Sequence, residues 1–98
     1  MLDEKLKARL EGARPALFSA GVSHLAVFGS RARGKAGADS DVDILIEVDA
    51  AEPFSLLDLV GVERMLSEAI GFKVNAVMRR SLDEPFRHRI AADIVEIF

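Results

Sequence analysis

The 98-residue chain has the length of one domain, and its 13 basic and 16 acidic residues give a net charge of −3. That balance lacks the basic footprint that sequence-independent nucleic-acid binding needs, so a nucleic-acid partner is not expected. With no cysteine there is no disulfide, thiolate zinc site or cysteine nucleophile, which fits a cytoplasmic chain.

In chain order, Leu2, Leu6, Leu10 and Ala13 fall on one face of a helix. This charged, amphipathic start is not a secretory leader, and no apolar run is long enough to span a membrane. Pro15 predicts a kink or restart, Leu17 and Phe18 carry the apolar face on, and Gly21 is a natural stop. His24–Phe28 reads as a short buried strand ending at Gly29-Ser30. A short helical turn and a loop follow, with Gly34, Gly37, Ala38 and Asp39.

Asp41–Val48 is a second strand. Val42, Ile44, Ile46 and Val48 line its apolar face, while Asp41, Asp43, Leu45 and Glu47 line the other. After a turn over Asp49–Pro53, a helix runs from Phe54 to Ile70, with Leu57, Val60 and Gly61 forming one turn of its stripe and Gly71 ending it. Phe72–Met78 alternates as a third strand, with Phe72, Val74, Ala76 and Met78 on one side. A last helix begins near Asp83-Glu84-Pro85, its apolar residues Phe86, Ile90 and Ile94 spaced by four. The fold class is α/β (α+β): residues 1–98 as one domain, a small mixed sheet of about three strands flanked by helices.

The chemistry concentrates in FGSRARGKAGADSDVDILIEV. Asp41 and Asp43, two apart on a strand, present two carboxylates on one face. Alone they repel; a divalent cation relieves the repulsion, and two carboxylates completed by substrate phosphates and water is a usual Mg²⁺ arrangement. Gly29 lets backbone approach a phosphate closely, and the Ser30 hydroxyl adds a donor. Arg31, Arg33 and Lys35 follow and supply positive charge; Arg33 joins Gly29 and Ser30 as a candidate nucleotide contact. Arg79, Arg80, Arg87 and Arg89 form a second basic cluster, read as a solvated face.

A Gly-Ser turn followed ten residues later by Asp-Val-Asp resembles the signature of the DNA polymerase beta-like nucleotidyltransferase superfamily. LAVFGSRARGKAGADSDVDILIEV, continuing through SLLDLVGVERMLSEAIGFKVNAV, is similar to its minimal single-domain (MNT) branch. The resemblance implies a nucleotidyltransferase fold, a nucleoside triphosphate held at Gly29-Ser30, and Mg²⁺ or Mn²⁺ on Asp41 and Asp43. It also implies transfer of a nucleoside monophosphate, AMP from ATP foremost, to a hydroxyl with release of pyrophosphate. Members of this branch commonly act as antitoxins beside a helical HEPN toxin, so a HEPN-type protein is the implied partner; a homo-oligomer stays open.

The family usually carries a third carboxylate on the third strand, in a V-D-x-V context. Here the stretch is Val74-Asn75-Ala76-Val77. Asn75 completes the candidate catalytic set with Asp41 and Asp43, yet an amide cannot act as a general base. Two readings follow: an enzyme that adenylylates a partner protein, or a binding module of little or no activity that neutralises its partner by contact. The apolar run Ile94, Val95, Ile97 and Phe98 either forms a docking edge for that partner or packs on the domain's own sheet.

Overall fold

The helical N-terminal stretch divides just before Pro15, whose ring cannot sit inside a helix. In the computed structural model, which describes residues 2–98 except Ala36, Ala38, Asp39, Ala50 and Glu52, helix α1 spans Glu4–Gly12 and α2 spans Arg14–Ser19. Asp3 caps α1 by accepting the Lys5 N–H, and Pro15 occupies the first turn of α2, where a missing N–H costs nothing. The chain continues as β1 (Val22–Phe28), α3 (Gly29–Arg33), β2 (Val42–Val48), α4 (Leu56–Ile70) and β3 (Val74–Met78). A 3₁₀ turn (Arg79–Ser81), α5 (Glu84–Ile90), a second 3₁₀ turn (Ala91–Asp93) and β4 (Val95–Glu96) complete it. The expected loop positions Ala38 and Asp39, and part of the Asp49–Pro53 turn, lie outside the described residues.

The sheet order is β3-β2-β1-β4. β1 runs antiparallel to both β2 and β4, whereas β2 and β3 are parallel and joined by the crossover helix α4. Ser55 and Asp58 form a reciprocal capping box at the start of α4, and Gly71 ends the helix at φ 79°. The alternation expected of β2 holds: Val42, Ile44 and Ile46 enter the main core with Leu25, Val27, Val74 and Ala76. Leu6, Leu10, Leu17, Val62, Leu66 and Ile70 cover that face from α1, α2 and α4. The opposite face carries a smaller cluster of Ala26, Phe28, Leu45 and Ile90, against which Val77, Leu82, Phe86 and Ile94 pack. Phe86 of α5 meets Phe28 edge-on at 5.9 Å.

On its outer side β3 is met by α4 side chains. Ser67 Oγ accepts the Val74 N–H at 3.2 Å, and a Glu63 carboxylate oxygen accepts the Ala76 N–H at 2.7 Å. Arg9 of α1 donates to the carbonyl of Ile70 at 3.1 Å, tying α1 to the end of α4.

Three expectations change. The sheet has a fourth strand, because the apolar C-terminal run does not prolong the last helix. That helix stops at Ile90; Val95 pairs with Val27, Glu96 with Ala26, and the Ile97 N–H donates to the Leu25 carbonyl at 2.8 Å. Ile94, Val95, Ile97 and Phe98 therefore pack on the domain's own core rather than forming an exposed helical edge. Helix α4 also turns differently from its expected stripe. Val62, Leu66 and Ile70 face the core, while Leu57 is 82% exposed and Val60 46% exposed. Two apolar stripes compete on this helix, and the one running its full length is buried. The Leu57 stripe passes into Arg64 and Glu68 after a single turn. Among the described residues, no helix is long and apolar enough to cross a membrane.

Candidate functional site

The candidate residues gather where three neighbouring strands place them in one row. Phe28 of β1 lies opposite Asp43 of β2, and Asp43 lies opposite Asn75 of β3. Asp41 stands one residue before β2, two from Asp43 and toward the same side of the strand. Gly29 follows Phe28 directly, so the strand-to-helix turn passes beside the Asp43 carboxylate. The backbone there has φ 75°, and a Cβ added at Gly29 would lie only 2.5 Å from Asp43 Oδ2. Glycine is required twice over, for the left-handed conformation and for the close approach.

Ser30 is half-buried in the first turn of α3. No side chain caps this short helix, so its first N–H groups lack intrahelical acceptors. Arg33, at the other end of α3, donates from Nη1 to Asp93 Oδ2 at 2.7 Å. Arg31 is differently employed. Its Nη2 donates to the Ser40 carbonyl at 2.6 Å and its guanidinium lies 4.2 Å from the Phe72 ring centre, so it fastens the loop ahead of β2. In the second basic cluster Arg79 departs from the solvated face expected of it: it is 34% exposed, its Nε is buried, and it lies 2.8 Å from Glu96 and 3.7 Å from Glu47.

Asn75 interacts with both acids. Its Nδ2 donates to Asp41 Oδ2 at 3.0 Å, and its amide beside Asp43 favours the ionised form of that carboxyl. Burial raises the affinity of the Asp43 carboxyl for a proton above the ordinary value. The Asn75 amide opposes this, Asp41 reinforces it and Arg33 opposes it; burial prevails. The amide thus does from within the chain part of what a cation would do, damping repulsion between two neighbouring carboxylates. Among the described residues, no cluster of three or more His, Cys, Asp or Glu side chains offers a metal a complete set of protein ligands. Two carboxylates beside a side-chain-free turn instead suit a hard divalent cation whose remaining ligands come from phosphate and water.

A family model, the nucleotidyltransferase domain, matches residues 7–97. The chain belongs to this family. It is 40% identical over 77 residues to the protein adenylyltransferase MntA of Thermococcus cleftensis, a match spanning 79% of this chain and 76% of that one. A solved structure of a candidate minimal nucleotidyltransferase superposes with a TM-score of 0.79 at 32% identity, covering 97% of this chain and 95% of the other. The fold also matches, with a TM-score of 0.69 at 15% identity, a chain in the complex of tri-AMPylated Shewanella oneidensis HEPN toxin with MNT antitoxin. That match covers 95% of this chain and 71% of the other.

The sequence-stated residues Gly29, Asp41, Asp43 and Asn75 come together, with Ser30 on the adjoining turn. Arg33, on the same short helix, is bonded to Asp93. Asp93 was not anticipated: it lies 60 residues from Arg33, and no local pattern announces a pairing at that distance.

Proposed function

We propose that residues 1–98 act as one nucleotidyltransferase domain that moves AMP from ATP to a hydroxyl of a partner protein. The observation that carries this reading is the packing of Gly29 against Asp43 Oδ2, which leaves no side chain between the turn and the carboxylate. In this reading the Gly29-Ser30 turn holds the triphosphate, with Ser30 and the turn's N–H groups donating to phosphate oxygens. Asp41 and Asp43 would hold Mg²⁺ or Mn²⁺, which neutralises charge on the phosphates and eases ionisation of the acceptor hydroxyl. The acceptor oxygen bonds to the α-phosphorus, the bond to the β-phosphate bridging oxygen breaks, and pyrophosphate leaves. Asn75 cannot take the hydroxyl's proton, so the proton passes to water and turnover is slow.

The name of the Thermococcus relative supports a protein as acceptor, and the shared fold with a HEPN–MNT complex makes a helical HEPN-type protein the first partner to test. An acceptor bound by a second protein also suits a chain that contributes only one wall of a cleft, since orientation supplies much of the rate.

A second reading rests on Asn75 itself. Its amide already donates to Asp41, which favours a module that neutralises its partner by contact without modifying it. One experiment separates the two. The chain is expressed with its neighbouring gene product, ATP and Mg²⁺ are added to the complex, and the partner is weighed. A mass gain of one or more AMP units supports the enzyme. A stable complex without gain supports the contact module. A chain that ignores its neighbour and modifies a small molecule or RNA overturns both.

A further inference from the structure

We propose that Asp93 is a positioning residue for nucleotide binding, holding the Arg33 guanidinium at the edge of the site so that its free N–H groups meet phosphate. This inference rests on the nucleotide site proposed at Gly29-Ser30.

The geometry begins with how little otherwise holds Arg33. It is the last residue of a five-residue helix, and Gly34 after it turns into the left-handed region at φ 73°. Its side chain is 45% exposed, and a long arginine there would sample many rotamers. The Asp93 carboxylate fixes one of them through a 2.7 Å bond to Nη1.

Asp93 is itself well placed to do this. It closes the 3₁₀ turn Ala91–Asp93, between Ile90, buried against the second face of the sheet, and Val95, paired with Val27. The carboxylate is thus set on a short turn anchored at both ends, and it is less exposed than its partner, at 21%.

The contact uses one terminal nitrogen of Arg33. A guanidinium has five N–H groups in a planar fork, and Nε and Nη2 of Arg33 make no hydrogen bond among the described residues. Those donors match phosphate oxygens. Arg33 lies three residues after Ser30 on α3, so the two share one face of that helix beside the Gly29-Ser30 turn. Of its neighbours in the same segment, Arg31 is held by Ser40 and Phe72 and is not placed for this role. A pair serving only to tie α3 to the turn after α5 would leave nucleotide affinity alone once the fold was intact.

The test is calorimetry of a nonhydrolysable ATP analogue with Mg²⁺, on variants shown by thermal melting to be folded. Asp93→Ala is expected to weaken binding roughly five- to tenfold, the scale of coupling between contacting charged side chains. Asp93→Glu, which keeps the carboxylate, should recover most of it. In an Arg33→Ala background Asp93→Ala should have no further effect, since the residue acts through that arginine. Unchanged binding by folded Asp93→Ala, while the wild type binds, overturns this inference alone. So does an equal loss with and without Arg33, and so does tighter binding, which would make Asp93 a competitor of the phosphate. A wild-type protein that binds no analogue removes the nucleotide site and this inference together.

Discussion

Gly29→Ala is the smallest change that strikes the centre of the candidate site. The added Cβ would lie 2.5 Å from Asp43 Oδ2, whereas ordinary contacts begin near 3.4 Å. The carboxylate must therefore retreat by about 1 Å. A non-glycine residue at φ 75° also costs about 1–2 kcal/mol of backbone strain. For a chain of this length, each kcal/mol lowers the melting temperature by about 4–8 °C. A misplacement of about 1 Å at a reacting centre can cost ~10²-fold in rate. The expected variant is folded, melts several degrees lower and has lost most of its nucleotide transfer. Thermal melting measures the first effect and single-turnover transfer to a bound acceptor measures the second. Repeating the substitution in an Asp43→Ala background isolates the steric part, because the φ strain persists while the carboxylate is gone; the melting penalty should then shrink. An unchanged melting temperature with full transfer refutes the close approach of turn and carboxylate. An undiminished penalty without Asp43 assigns the cost to backbone strain alone.

Asn75→Asp should supply the missing carboxylate next to Asp43, raising transfer by about 10²–10⁴-fold in single-turnover assays with a bound acceptor; no gain means proton removal does not limit the rate. Asp43→Asn should stabilise the metal-free protein at neutral pH while abolishing metal-assisted nucleotide binding. The folded chain holds the Asp43 proton more tightly than the unfolded chain does, so in metal-free wild type this group's contribution to stability falls as pH rises through the ordinary carboxylate range to the raised folded value. Melting curves across pH should lose that part of their slope in the variant, and identical curves would refute the burial argument. Glu63→Ala removes the acceptor of the Ala76 N–H and should cost about 1–2 kcal/mol in chemical denaturation, with a smaller loss for Glu63→Gln, whose amide oxygen still accepts.

Much of this was legible in the sequence because the strongest signals are local. Alternation in Val42–Val48 placed the apolar face correctly, and two aspartates two apart had to share the other. Pro15 and Gly71 marked real boundaries. The phase of α4 was harder, because Leu57 and Val60 make an apolar turn that looks like core until the whole length to Ile70 is weighed. β4 was missed because it is two residues long, and Ile94–Phe98 suits a helix as well as a strand by composition. Within the site, the turn and the acids follow from spacing. The Asn75 bridge depends on strand register, and the pairing of Arg33 with Asp93 on tertiary folding across 60 residues. Arg31 was read only as positive charge beside the turn, and only the fold shows its engagement with Ser40 and Phe72.

The hydrogen bonds that Ser67 and Glu63 accept from β3 bear on more than local stability. An uncovered border strand invites another chain to add itself by backbone pairing, which is a common start of aggregation. Here Val74 and Ala76 already have their outward N–H groups engaged by side chains of α4, and the far border, β4, is too short to template much. A protein made in excess of its partner would gain from such closed borders. They would also shape recognition: a partner would find little free edge to extend and would engage side chains on the helices and loops instead.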